Sequence, residues 1–180
     1  MSSMELNVQE NIEDLDSNLL NMLMKPQDFD SGVRIDWLNG QKSQTFATSE
    51  VDLFGASEYA HLVLNGKTVL NPTVTIFIRH MIYKYDQKAP DDLSEFPVKL
   101  TTKDQLLTKP LEWGINYDTS ECVLYKNTSV TDCNFTKTYA NLVSVVWVNF
   151  SGQLDDDVLR DLLINMLISV DTRIAHEANN

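Results

Sequence analysis

The stretch Leu142-Val-Ser-Val-Val-Trp-Val-Asn-Phe150 carries only two polar side chains, those of Ser144 and Asn149. Its valines and Trp147 fall on both faces of an extended chain, which is the pattern of a central strand covered on both sides. Ser151-Gly152 interrupts this pattern. We therefore expect residues 142–150 to form the central strand of a sheet.

A helix is predicted directly after this strand, over residues 155–175. Asp155-Asp156-Asp157 places carboxylates in its first turn, where they cap free N–H groups and complement the helix dipole. A divalent cation site is the alternative for these three residues, because hard cations bind several oxygens. The apolar positions of one helical face are Val158, Leu159, Leu162, Leu163, Met166, Leu167, Val170 and Ile174.

Two further apolar residues of this helix, Ile164 and Ile168, lie off that face. A helix that is apolar most of the way round is buried on more than one side. We expect either the N-terminal helix or a second chain to cover it, and a second chain would make a symmetric oligomer.

The N-terminal helix is predicted over residues 7–25, after a frayed start at residues 1–6, and Pro26 ends it. Its apolar residues recur every three or four positions and form a narrow seam. The seam packs either on its own domain or on another subunit or partner. Together with the two off-face isoleucines, it gives the candidate interaction residues Val8, Ile12, Leu15, Leu19, Met22, Ile164 and Ile168.

The middle of the chain, residues 33–150, is predicted to be β-rich. Asn39-Gly40 and Asn65-Gly66 are the strongest short-range indications of hairpin turns. Residues 71–85 are β-branched and aromatic and favour a strand, although a helical face is also present. A last hairpin, with the seven-residue loop 127–133, leads into the central strand.

These elements predict a single α+β domain over residues 1–180. Its core is an antiparallel sheet built from hairpins and flanked by an N-terminal and a C-terminal amphipathic helix. A chain of 180 residues with 43% hydrophobic residues is long enough to bury a core of this kind.

The net charge of −12 disfavours nucleic-acid binding, because phosphate contacts need clusters of Lys and Arg. The acids are scattered along the chain, which favours simple solvation over attraction to a basic partner. We find no apolar run of bilayer length and no signal peptide, so we expect no membrane association and a cytoplasmic location, with a virion as the alternative. Cys122 and Cys133 are then expected to be reduced, with a bridge across a hairpin as the alternative.

The motifs of common catalytic and cofactor sites are not found in the sequence. His61, His80 and His176 lack the spacing of zinc ligands. There is no nucleophile elbow, Walker A loop or dinucleotide-binding glycine motif. We therefore predict no catalytic residue, no metal ligand and no cofactor.

The function expected from these features is that of a non-enzymatic interaction or assembly protein, such as a virus or phage assembly component. It would bind a protein partner or its own copies through apolar helix faces and an acidic surface. One alternative is a hydrolase-like enzyme that uses Asp91, Asp92, His61 or His80. The other is a small-ligand binding domain whose cleft is lined by Trp37, Trp113, Tyr83 and Tyr125.

Overall fold

Seven antiparallel strands form one sheet in the computed structural model of the chain, which describes residues 17–29, 34–38, 42–47, 55–69, 71–93, 113–125 and 129–178. The strands are β1 (Ile35–Trp37), β2 (Lys42–Ala47), β3 (Glu58–Thr68), β4 (Thr75–Lys84), β5 (Thr119–Tyr125), β6 (Val130–Tyr139) and β7 (Leu142–Ser151). The described helices are α1 (Ser17–Met22), α2 (Asp156–Ala178) and a short 3₁₀ helix at Pro26–Phe29. The predicted α+β class and the antiparallel sheet are confirmed.

The sheet is made of two antiparallel meanders placed side by side. One contains β3 and β4, with β1 and β2 both on the outer edge of β3, and the other contains β5, β6 and β7. β4 and β7 join them through a register that runs from Thr75 opposite Ser151 to Lys84 opposite Leu142. β7 therefore lies between β4 and β6, which is the interior position predicted for residues 142–150.

Both faces of β7 are buried over most of its length, as its sequence predicts. Val146, Val148 and Phe150 belong to the main core beneath the helices. Val143 and Val145 point to the opposite face and pack in a smaller cluster. That cluster also contains Ala56, Tyr59, Met81, Tyr83, Tyr85, Ala89 and Leu93.

The two α-helices pack on the same face of the sheet. α2 buries Leu159, Leu162, Leu163, Met166, Leu167, Val170 and Ile174 in the main core, and α1 buries Leu19 and Met22 there. The prediction that Val158 lies on the buried face is wrong, because its side chain is 39% exposed.

The N-terminal helix ends earlier than the predicted span 7–25 does. α1 ends at Met22, and the chain then turns into the 3₁₀ helix at Pro26–Phe29. The backbone N–H of Lys25 donates a hydrogen bond of 2.7 Å to Asp28 Oδ2, which fixes the start of this turn. The predicted helical residues 7–16 lie outside the described part of the chain.

The predicted turn at Asn65-Gly66 is wrong, because both residues lie inside the eleven-residue strand β3. The connection to β4 comes later, where Thr68 Oγ1 donates to the carbonyl of Asn71 at 2.6 Å. Gly66 has a packing role instead. A Cβ at this position would lie 2.6 Å from Cγ2 of Ile35, so the glycine allows β1 to approach β3.

The predicted hairpin around Asn39-Gly40 is also wrong, although these two residues lie outside the described ranges. β1 pairs with residues 66–68 of β3, and β2 pairs with residues 58–63 of the same strand. Both are antiparallel to β3, so they run in the same direction along one edge and cannot be the two arms of a hairpin.

Two other sequence predictions concern the strands around β7. The strand favoured for residues 71–85 is confirmed by β4. The last hairpin has only residues 126–129 between β5 and β6, because Val130–Cys133 pair with β5 and are not loop. β6 and β7 are then joined at Ala140–Asn141, with Ala140 at a φ of 50°.

Cys122 and Cys133 form a disulfide bridge across β5 and β6. The two residues are directly opposed in the register, their Cα atoms are 4.0 Å apart, and both are fully buried. The expectation of two reduced thiols is therefore wrong, and the alternative of a bridge across a hairpin is confirmed. The strand register makes the bridge possible, because it places both Cβ atoms close together on the same face of the sheet.

Replacing both cysteines by alanine should lower the free energy of unfolding by about 2–4 kcal/mol, because the bridge restricts the unfolded chain. Urea unfolding followed by circular dichroism measures this change. Treating the wild-type protein with a reductant should give a similar loss. Equal unfolding midpoints with and without reductant would contradict the prediction.

The substitution Val145→Asp should unfold the domain, because it buries an unpaired charge at a position that is 0% exposed. Ile168→Asp makes the same chemical change at a position that is 58% exposed, and it should keep the fold. Circular dichroism and thermal unfolding compare the two variants. A folded Val145→Asp protein would show that this face of β7 is open to water.

Candidate functional site

The outer face of α2 carries apolar side chains that the sheet does not cover. Ile168 is 58% exposed and Ile164 is half-buried, and both lie on the side opposite the main core. Val158 lies at one side of the same outer surface, almost three helical turns before Ile168. We call Val158, Ile164 and Ile168 the α2 ridge.

Exposed carboxylates surround the N-terminal half of the α2 ridge. Asp155 caps the helix, since its Oδ1 accepts a hydrogen bond of 2.9 Å from the N–H of Asp157. Arg160 contacts Asp157 at 2.9 Å and Asp161 at 3.3 Å. Asp155, Asp156, Asp157 and Asp161 are all exposed, and Arg160 is the one base between residues 155 and 161, so the start of α2 is acidic.

A shallow groove of about 540 Å³ runs beside Ile168 toward the C-terminal end of α2. The described residues that line it are Asn165, Ile168, Ser169, Thr172, Arg173 and His176. They lie three or four positions apart and therefore share one side of the helix. A partner helix or extended segment bound along this side could contact several of them at once. The groove therefore extends the α2 ridge past the acidic first turns.

A buried ion pair fixes α2 against the N-terminal segment. Arg173 donates to Asp28 Oδ2 at 2.9 Å and to the carbonyl of Leu23 at 3.0 Å, and a second contact joins its Nη2 to Asp28 Oδ1. Ser169 Oγ also donates to Asp28 Oδ1, at 2.8 Å. These bonds orient the helix so that its ridge points outward.

A second polar cluster holds the other side of α2. Lys137 Nζ lies 2.6 Å from Asp171 Oδ1, and the Tyr139 hydroxyl donates to the same oxygen. The Tyr117 hydroxyl donates to the carbonyl of Leu167 at 3.3 Å. Burial raises the pKa of Tyr117 and of Tyr139, so both phenols stay protonated as hydrogen-bond donors.

The structure separates the predicted interaction residues into three groups. Leu19 and Met22 are buried in the core of their own chain, so they are not on an accessible surface. Ile164 and Ile168 lie on the outer side of α2. Val8, Ile12 and Leu15 lie outside the described residues.

His80 is fully buried between β7 and the N-terminal segment. Its Nδ1 accepts a hydrogen bond of 2.9 Å from the backbone N–H of Met24. The proton of the neutral ring is therefore on Nε2, which donates to Ser144 Oγ at 3.0 Å. A serine nucleophile needs the opposite arrangement, a ring nitrogen that accepts its proton, so this pair is structural.

Burial lowers the pKa of His80 to about 3, and the nearby positive charge of Arg173 contributes in the same direction. The pKa of His61 is also lowered, first by burial and then by Arg79. His61 stacks on Tyr59 with ring centroids 5.5 Å apart, whereas His176 is exposed near Glu177 at 3.6 Å. The three histidines therefore occupy separate places in the fold.

The residues named for the alternative functions are not brought together either. Asp91 forms an exposed ion pair with Lys88. Trp37 packs on Phe29 with ring centroids 5.1 Å apart, whereas Tyr83 belongs to the cluster on the opposite face of the sheet. Within the described ranges, no group of three His, Cys, Asp or Glu side chains is arranged to hold a metal ion.

A cleft of about 520 Å³, which the sequence did not predict, opens at the N-terminal end of α2. It is lined by Leu124, Ser129, Thr131, Phe150, Gly152, Gln153, Leu154, Asp155, Asp156 and Leu159. Gly152 has a φ of 111°, and its N–H donates to the carbonyl of Ser129 at 2.8 Å. The Ser151-Gly152 break before an acidic helix start was the one local indication that the chain changes direction here.

Comparisons with known proteins give no relative: no family model, no curated protein and no solved structure matches this chain. Among the described helices, none has the length and apolar character needed to cross a bilayer.

The buried neutral His80 predicts a pH-dependent stability. Its folded pKa of about 3 lies below the unfolded value of 6.5, so the unfolded state binds more protons between these limits. Its contribution to stability is complete above pH 6.5 and is lost as the pH falls toward 3. Between pH 6.5 and 5 we expect a loss of about 1 kcal/mol per pH unit.

Urea unfolding of the wild type and of His80→Gln at pH 7, 6 and 5 measures this loss. The glutamine retains one acceptor and one donor but does not titrate, so its stability should change less over the same interval. Parallel curves for the two proteins would contradict the assignment.

Proposed function

We propose that this chain is a non-enzymatic binding protein that presents the α2 ridge to a basic protein partner. The observation that carries the proposal is the 58% exposure of Ile168 beside an apolar groove, on a helix whose other sides are held in place. A rigid helix with exposed apolar side chains at helical spacing is a common form of protein recognition surface.

The negative charge of this surface indicates that the partner carries a positively charged surface. Asp155, Asp156, Asp157 and Asp161 are exposed around the ridge, and Arg160 is the base that pairs with two of them. The whole chain carries a net charge of −12. Lys and Arg side chains of a partner would be attracted to this surface, and the attraction increases the rate of encounter.

A second copy of the chain is a less favourable occupant of the ridge. A two-fold dimer that aligns the same halves of α2 would bring the Asp157 and Asp161 carboxylates of both copies together. Like charges across an interface oppose association. We therefore place a basic partner on the ridge and treat self-association as an outcome of the test.

The hydrolase alternative receives less support from the described residues. His80 is buried with its proton directed at Ser144, and the exposed Asp91 is paired with Lys88 on the surface. An interaction surface needs no convergent catalytic groups, and the α2 ridge supplies the exposed apolar side chains that it does need.

A labelled amphipathic peptide with a leucine face and a lysine face is the probe for this proposal, measured by fluorescence anisotropy. Ile168→Ser should weaken its binding about five- to thirtyfold, because contact with a large apolar side chain is lost. Asp161→Asn should weaken binding mainly at low salt, where the charge is least screened.

Matched control variants are Leu38→Ser, at an apolar position that is 53% exposed on the sheet edge, and Asp36→Asn in β1. Both should bind the peptide like the wild type. If the controls lose as much affinity as the ridge variants, or if the peptide does not bind, the proposal is wrong.

Light scattering on the full chain separates the remaining outcome. A basic partner predicts that the protein alone has the mass of a monomer and that Ile168→Ser does not change it. A dimer that Ile168→Ser dissociates would show that the ridge binds a second copy, which overturns the basic partner.

A further inference from the structure

The cleft at the N-terminal end of α2 is a separate feature from the α2 ridge. It is formed where the end of β5, the start of β6, the end of β7 and the first turn of α2 meet. Its volume of about 520 Å³ falls in the range of small-molecule binding sites. Three elements fix its walls, since β5 and β6 are joined by the disulfide and α2 is held by the Arg173 and Asp171 contacts.

The second observation at this cleft is the hydroxyl group of Thr131. The residue lines the cleft and is only 7% exposed. It lies opposite Phe150 of β7 and Leu124 of β5, both of which line the same cleft. Its hydroxyl makes no hydrogen bond within the described part of the chain, so both its donor and its acceptor remain available to a bound molecule.

The charge at the mouth of the cleft points to a cationic ligand. Asp156 lines the cleft, is exposed, and forms no ion pair with a described base. Asp155 already uses one oxygen to cap the helix. An anion would meet these carboxylates at close range, so the usual preference of a helix N-terminus for anions is cancelled here.

The remaining lining residues favour an organic cation over a metal ion. Leu124, Phe150, Leu154 and Leu159 give the cleft an apolar wall. A divalent ion needs several oxygen ligands around one point, and the described residues contain no cluster of three metal-binding side chains. An apolar wall with one free carboxylate and one free hydroxyl matches a protonated amine attached to an apolar body.

We infer that this cleft binds a small amine with an apolar body. The ammonium group donates to the Asp156 carboxylate and to Thr131 Oγ1. The apolar body packs against Phe150 and Leu159. The inference does not depend on the proposed role of the α2 ridge, and a failure of either leaves the other intact.

Chemical-shift titration of the ¹⁵N-labelled full chain tests the inference, with 2-phenylethylamine as the probe. The neutral 2-phenylethanol and the anionic phenylacetate have the same aromatic body and serve as matched ligands. We expect the amine to bind at least fivefold more tightly than the alcohol, and phenylacetate to bind more weakly than the alcohol. The amide signals of Ser129, Thr131 and Gly152 should shift.

Two pairs of variants assign the contacts. Asp156→Asn should reduce the affinity for the amine to that for the alcohol, whereas Asp161→Asn, the same charge change outside the cleft, should leave it unchanged. Thr131→Val should weaken amine binding about two- to tenfold, the usual effect of one lost hydrogen bond. Thr131→Ser, which keeps the hydroxyl, should bind like the wild type.

The inference is overturned if the amine and the alcohol bind equally, if Asp156→Asn and Asp161→Asn have the same effect, or if the shifted signals lie away from the cleft. Absence of binding at millimolar amine also overturns it. Circular dichroism of each variant identifies any loss of fold, and the exposed position of Asp156 keeps the main comparison independent of folding.

Discussion

The pairing of β4 with β7 is the interaction on which the rest of the structure depends. It joins two meanders over the register from Thr75 opposite Ser151 to Lys84 opposite Leu142 and so makes one sheet of them. His80 reinforces this junction, because its ring bonds Ser144 of β7 and the backbone of Met24 at the same time. A buried histidine is expensive to charge, and here its neutral ring holds two strands and the N-terminal segment together.

The position of α2 follows from that sheet. The main core beneath the helix includes β7 residues, and polar contacts hold the helix on both sides. Asp28 and Arg173 tie it to the N-terminal segment, while Lys137 and Asp171 tie it to β6. A buried ion pair of this kind adds little to the net free energy of folding, because desolvation of the two charges offsets much of their attraction.

We propose two distinct surfaces of this fixed helix for contact with other molecules. Its outer side carries Ile164 and Ile168, and its first turn forms one wall of the cleft that contains Thr131 and Asp156. Asp155 caps the helix, and the exposed carboxylates of its first turns would favour cationic groups at both proposed surfaces.

The sequence by itself determined the class of the fold and its most apolar elements. The valine-rich strand at 142–150, the helix after Asp155 and the strand at 71–85 were all recognisable because hydrophobic periodicity and residue shape act locally. The off-face positions of Ile164 and Ile168 were likewise visible from helical spacing. These features can be predicted without knowing which strands and helices are neighbours in the fold.

Only the tertiary structure decided the strand pairing, the turns and the cleft. Asn65-Gly66 lies inside β3, where Gly66 makes room for Ile35, and the connection to β4 comes after Thr68 instead, where Thr68 Oγ1 donates to the carbonyl of Asn71 at 2.6 Å. The register that opposes Cys122 to Cys133 produced a bridge where reduced thiols were expected. In such cases the free energy of long-range packing outweighs the local preference for a turn. Packing between distant residues leaves no periodic pattern in the sequence from which it could be predicted.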